Sequence, residues 1–212
     1  MAILTNVKRR IIVNAGHYDK DSGAISAVER DEVRKIRDEV LHLLAPLGFE
    51  VFAVPDNLDL AKSIAYVNEK ANSLNEGLCI DIHLNSFSNK SVRGTEAYYL
   101  TSDTSTKIAE RMAFHVSDQL GIPNRGAKSD TLAAAGSLAW LRKTKPWATL
   151  VEVCFISNEA DMKALTGTGG YKRAAQGIVN AVSELYGVKT GKTIPESISI
   201  IEEELSNIKK QI

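Results

Sequence analysis

Two histidines stand at the ends of two apolar, strand-like runs, and a glutamate sits inside a third. The runs are RRIIVNAGHYD, ending near His17; GLCIDIHLNS, carrying His83; and ATLVEVCFISN, where Glu152 lies among Leu150, Val151 and Val153. A charged or ligand-grade side chain in an apolar strand is unfavourable to bury unless it is paired or metal-bound. Three such residues, far apart in the chain, point to one shared site. Histidine and carboxylate are the ligands of a catalytic zinc that keeps one position open for water.

Each residue carries a plainer reading beside the chemical one. His17 follows Gly16 where a first strand leaves the sheet, at the carboxyl end where open α/β sheets bind ligands; alone, such a histidine is more often just a hydrogen-bonded loop residue. In the His83 strand, Leu78, Ile80, Ile82 and Leu84 share one face. Cys79, Asp81, His83 and Asn85 share the other, which turns polar towards its end; that suits a site, or an edge facing solvent. Glu152, flanked by apolar neighbours, is either salt-bridged or functional, and a general base beside an activated water would account for its burial.

A fourth residue, Glu29, opens the first long helix. The core stripe of that helix is Val33, Ile36, Val40, Leu43 and Leu47, and four residues back from Val33 is Glu29, which therefore faces the sheet. Glu29 also closes a Ser-x-x-Glu capping box with Ser26. The two roles compete for the same carboxylate oxygens, and taken alone the cap is the simpler. His42 and His115 lie inside helical stretches and read as structural, as the tyrosines and phenylalanines read as core.

The elements that must position these residues alternate along the chain. Strands are expected near 9–14, 50–54, 78–84, 94–100, 138–142 and 148–155, and helices near 27–46, 59–74, 103–120 and 170–186. Nearly continuous apolar strands alternating with helices predict a single α/β domain, its sheet of about six strands flanked by helices on both faces. The domain is expected to span residues 1–190, ending in the break GVKTGKTIP. In 191–212, Ile194, Ile198, Ile201, Leu205, Ile208 and Ile212 mark a linker and a short heptad-patterned amphipathic helix. That helix either packs on its own domain or joins copies of the chain into a homo-oligomer.

Composition narrows the class. With Lys+Arg 26 against Asp+Glu 26 there is no net charge to recruit nucleic acid. The two cysteines, Cys79 and Cys154, fall inside strand candidates and are expected as buried free thiols. No apolar run is long enough for a secretory signal or a membrane span, so synthesis in the cytoplasm, without membrane insertion, is expected.

These motifs together resemble a known family. NAGHYDKDSGA, VERDEVRKI, KANSLNEGLCIDIHLNSFSN and LRKTKPWATLVEVCFISNEADM are similar to the four signature segments of zinc-dependent N-acetylmuramoyl-L-alanine amidases of the amidase 3 type. The likeness runs over roughly residues 9–187. It departs from the family pattern at Tyr18-Asp19, at Asp81 and at Cys154. The resemblance implies Zn²⁺ held by His17, Glu29 and His83, with Glu152 as the catalytic glutamate. It implies peptidoglycan as substrate, cut at the amide between N-acetylmuramic acid and the L-alanine of the stem peptide. The rivals are a zinc peptidase acting within the stem peptide and a wall-binding module without catalysis. The expected setting is the cell wall, as a phage or prophage endolysin rather than a lytic enzyme of sporulation.

Overall fold

The computed structural model describes residues 2–19, 21, 23, 28–134 and 136–189. The expected C-terminal heptad helix and the expected cap Ser26 lie outside the described residues.

Among the described residues, six strands form one sheet. They are β1 (Arg10–Ala15), β2 (Glu50–Ala53), β3 (Leu78–Asn85), β4 (Thr95–Tyr99), β5 (Asn124–Ser129) and β6 (Trp147–Phe155), in the spatial order β2-β1-β3-β6-β4-β5. All neighbours are parallel except β4, which runs antiparallel to β6. The helices are α1 (Val28–Leu44), α2 (Leu60–Lys70), α3 (Asp103–Leu120), α4 (Ala139–Lys143), α5 (Glu159–Thr166) and α6 (Gly170–Tyr186).

Both sheet faces are covered, as nearly continuous apolar strands require. Ile11, Val13, Ile80, Ile82, Val151 and Val153 face α1, α3 and α6, meeting Val33, Ile36, Val40, Met112, Ile178 and Val182. From the opposite face, Ile12, Cys79 and Leu150 pack with Ile64 and Val67 of α2 and with Trp140 and Leu141 of α4. Each fully buried aliphatic side chain contributes about 1.5–3 kcal/mol. This double core holds the strands firmly enough to carry polar residues at their carboxyl ends. The α1 stripe buries Leu44 completely where Leu43 was expected, with Leu43 only partly covered.

The strand expected at 138–142 is instead helix α4. Trp140 and Leu141 are both buried although adjacent, and Arg142 N donates to Leu138 O across one helical turn. Five residues are too few for an apolar run to reveal its period. The strand the sequence conceals is β5, NRGAKS, a polar edge strand paired only with β4. Polar edges protect a sheet from pairing with other chains and erase the apolar signature. Helix α5 is also additional; Asn158 caps it by accepting from Asp161 N at 3.0 Å.

The chain runs from β1 through α1 to β2 on one side. It then returns through α2, on the other face, to β3 on the far side of β1. The order of strands therefore reverses between β1 and β3, and a crevice opens at their carboxyl ends. His17 leaves β1 there, His83 lies near the end of β3, and Glu152 stands on β6 beside it. Among the described residues no helix is long and apolar enough to cross a membrane. Cys79 and Cys154 are buried free thiols, as expected.

Candidate metal centre

Three side chains converge at the crevice. The ligand atoms of His17, Glu29 and His83 all lie within 4.8 Å of one another. Glu29 Oε1 is 3.0 Å from His17 Nε2 and 3.2 Å from His83 Nδ1. The two imidazole rings meet edge to face, 5.0 Å between centroids.

Local structure explains each placement. His17 adopts φ 70°, the left-handed region that a non-glycine residue rarely enters. That turn bends the chain off β1 and brings the ring back over the sheet. A Cβ on Gly16 would overlap the His83 ring, so only glycine leaves room for it. Gly23, at φ +70°, passes so close that a Cβ there would sit 2.6 Å from Glu29 Oε2.

Glu29 is 3% exposed and its Oε1 accepts from Leu84 N at 3.1 Å. The helix therefore opens with its glutamate turned to β3, towards both histidines. Arg34 and Arg37, further along α1, pair with Asp19 and Asp56 and tie down the loops that follow β1 and β2.

The other nitrogen of each ring faces a carboxylate. His17 Nδ1 is 3.0 Å from Asp21 Oδ2, and His83 Nε2 is 3.2 Å from Asp81 Oδ2. Asp81 is itself held by Asn14, whose Nδ2 donates to Oδ1 at 2.7 Å. Carboxylates on the outer nitrogens leave His17 Nε2 and His83 Nδ1 for a metal, as such partners do in established metal sites. β3 is central and Asp81 is 3% exposed, so its face is the site, not a solvent-facing edge.

Two nitrogens and one carboxylate oxygen are a donor set suited to catalytic zinc. Bonds of about 2.0–2.1 Å would set donors about 3.3 Å apart on a tetrahedron. The observed 3.0 and 3.2 Å separations are close to that. Without a metal, burial works against a charged His83, but Asp81 and Glu29 outweigh it and hold its pKa well above the ordinary value. Burial opposes the charge on His17 too, and Glu29 and Asp21 raise its pKa.

Glu152 is the direct register partner of His83. Its Oε2 is buried and accepts no hydrogen bond among the described residues. Burial, supplemented by the charges of Glu29, Glu96 and Asp81 and opposed by His83, pushes its pKa up to about 7. A carboxylate with a vacant lone pair and a near-neutral pKa is equipped to exchange protons at neutral pH.

Two cavities flank the His83–Glu152 step and share Leu138. One, ≈ 350 Å³, is lined by His17, His83, Asp81, Tyr18 and Trp140. The other, ≈ 500 Å³, is lined by Glu152, Asn85, Phe87, Glu96, Arg125 and Lys128. Ser157 Oγ accepts from Phe87 N at 3.0 Å and Asn158 Nδ2 donates to Lys90 O at 2.7 Å. The Phe-x-Ser-Asn segment thus fixes the loop that walls the second cavity.

All four residues singled out in the sequence, His17, Glu29, His83 and Glu152, meet here. Sequence reasoning did not assign Asp21 and Asp81 as ring partners, nor Asn14 as the residue that holds Asp81, although Asp81 shares the face of His83 at two-residue spacing. It also missed Arg125 and Lys128, which ride on the concealed strand. His115 is structural as expected, its Nε2 2.7 Å from Glu184 Oε2 between α3 and α6.

Residues 11–184 match the family model described as N-acetylmuramoyl-L-alanine amidase. The chain is similar to the N-acetylmuramoyl-L-alanine amidase LytC of Bacillus subtilis, 29% identical over 185 residues, covering 85% of this chain and 36% of that one. It is similar to the endolysin of Bacillus phage SPP1, 26% identical over 190 residues, covering 86% of this chain and 68% of that one. The chain thus spans about a third of one curated relative and about two thirds of the other. Among solved structures it is similar to the catalytic domain of the N-acetylmuramoyl-L-alanine amidase CwlV from Bacillus (Paenibacillus) polymyxa var. colistinus. That likeness has a TM-score of 0.73 at 28% identity, over 85% of this chain and 99% of that one.

Proposed function

The chain belongs to the N-acetylmuramoyl-L-alanine amidase family, and from that premise we propose that it hydrolyses the amide joining N-acetylmuramic acid to the L-alanine of the stem peptide. The observation that carries the reading is the convergence of His17, Glu29 and His83 with Glu152 on the adjoining strand. A wall-binding module has no use for a glutamate whose buried Oε2 accepts no hydrogen bond among the described residues, set beside three ligand-grade side chains.

In this reading His17 Nε2, Glu29 and His83 Nδ1 hold Zn²⁺. When bound, zinc lowers the pKa of a water towards neutrality and polarises the scissile carbonyl. Glu152 takes the proton of the attacking water and returns it to the leaving nitrogen as the C–N bond breaks. Asp21 and Asp81 hold the two rings in the tautomers the site needs. Burial keeps the Glu152 carboxylate poorly solvated and therefore basic.

Residues 1–190 are the catalytic domain; residues 191–212 lie outside the described residues, and their heptad spacing suits either packing on that domain or association of copies of the chain. The site of action is the cell wall, in the manner of a phage endolysin; the similarity to the phage SPP1 endolysin supports that setting.

The test is a digest of purified peptidoglycan with and without a zinc chelator, read by mass spectrometry of the soluble products. Free stem peptides with a new L-alanine amino terminus, absent under chelation, are expected. Fragments still joined to the muramyl sugar and cut within the peptide would make the enzyme a peptidase instead.

A further inference from the structure

The concealed strand β5 brings two cations to the far side of Glu152. Arg125 Nε donates to Glu96 Oε2 at 2.6 Å and Lys128 Nζ to the same oxygen at 2.5 Å. Asn85 Nδ2 and Tyr98 Oη donate to Glu96 Oε1 at 2.8 and 2.9 Å. Glu96 is 2% exposed. A carboxylate offers about four lone-pair positions, so Glu96 is saturated. Its cationic partners are not. A guanidinium has five N–H donors and an ammonium three. Among the described residues one hydrogen bond is made by each.

The spare donors are directed, not loose. The Arg125 guanidinium lies over the Phe155 ring, 5.0 Å from its centroid, while Nε is held by Glu96. Arg125 and Lys128 both line the ≈ 500 Å³ cavity that Glu152 also lines. Arg125 and Lys128 share the single carboxylate of Glu96, so that cluster carries a positive excess beside Glu152, and its spare donors can take an anionic ligand group. The same cavity is also lined by Phe87 and Leu132, 54% and 70% exposed, which suit the apolar parts of a peptide.

The proton route decides which half of the substrate enters. The proton held by Glu152 goes to the leaving nitrogen, so the amine half departs on the side of Glu152. The acyl half stays on the side of His17 and His83, whose cavity is separate. We infer that Arg125 and Lys128, anchored by Glu96, form a subsite that receives a free carboxylate of the stem peptide. This assignment rests on the amidase reading above. It makes Arg125 and Lys128 specificity residues and Glu96 a positioning residue.

The experiment compares two soluble muramyl-pentapeptides, identical except that the α-carboxyl of the second stem residue is free in one and amidated in the other. The zinc-loaded wild-type chain is expected to cleave the free form with kcat/KM about 10- to 100-fold higher, the scale of charge-assisted hydrogen bonds. Arg125→Gln and Lys128→Gln are each expected to shrink that ratio towards one, chiefly through KM for the free form. Equal kcat/KM for both substrates in the wild type overturns the subsite, with no variant required. So does a ratio that survives in both variants. Cleavage of neither substrate by the wild type overturns the amidase reading itself and the subsite with it.

Discussion

His83 and Glu152 stand directly opposite each other on the parallel strands β3 and β6. The proposed metal ligand and the proposed proton carrier are thereby held by backbone hydrogen bonding between strands. The same pairing makes their roles separable. Glu152→Gln removes the proton acceptor but none of the three converging donors. It is expected to bind one zinc per chain while kcat falls roughly 10²- to 10⁴-fold, the usual worth of general acid–base catalysis. Metal analysis beside turnover on purified peptidoglycan checks both halves, and turnover at the wild-type rate would remove Glu152 from the mechanism.

Burial of Glu152 also has a measurable consequence for stability. Its pKa in the folded, metal-free chain is about 7, against an ordinary value of 4.5. Between those values the folded chain keeps a proton that the unfolded chain has released. Stability therefore falls as pH rises through this window, and the full deficit is present above it. The deficit is at most about 3 kcal/mol. In chelated protein, Glu152→Gln is expected to melt higher than wild type at pH 8. The difference should vanish below about pH 4, under both values. Parallel melting curves at both pH values would show that Glu152 ionises normally.

The legible residues share a physical cause. His17, His83 and Glu152 interrupt apolar strands, and a polar side chain in such a run stands out. Glu29 is legible only by its phase on α1; its contacts with both histidines and Leu84 N place it at the crevice, while its capping partner Ser26 lies outside the described residues. The parallel strands β1, β3 and β6 announce themselves because both their faces are covered. β5 does not, since a polar edge strand looks like a loop. The stretch 138–142 misleads because one helical turn with adjacent buried residues looks like a strand. Asp21 and Asp81 act through other side chains, and nothing in their spacing separates a ring partner from a solvated acid.

The seam in residues 191–212 lies outside the described residues, and its role rests on spacing alone. If it joins copies of the chain, light scattering of the full chain gives a mass above that of one chain, and deleting 193–212 returns the monomer. At equal active-site concentration, the deleted form should then clear cell walls more slowly, because several linked catalytic heads rebind before escaping. A monomeric full chain would place the helix against its own domain.

Asp81 carries the last prediction, because it is built into the site. Its Oδ2 is 3.2 Å from His83 Nε2, and Asn14 holds its other oxygen at 2.7 Å. Removing that carboxylate leaves all three metal donors in place but lets the His83 ring turn and change tautomer. Loss of such an outer partner typically weakens metal affinity 10- to 100-fold. Asp81→Asn is therefore expected to release zinc to a competing chelator about 10- to 100-fold more readily, while His83→Ala should fail to hold it at all. Asn keeps the size of Asp and most of its polarity, so a matching melting temperature for the chelated forms would show that the fold survives. An unchanged zinc affinity in Asp81→Asn would mean that β3 alone orients His83 and that the carboxylate serves only to satisfy Asn14.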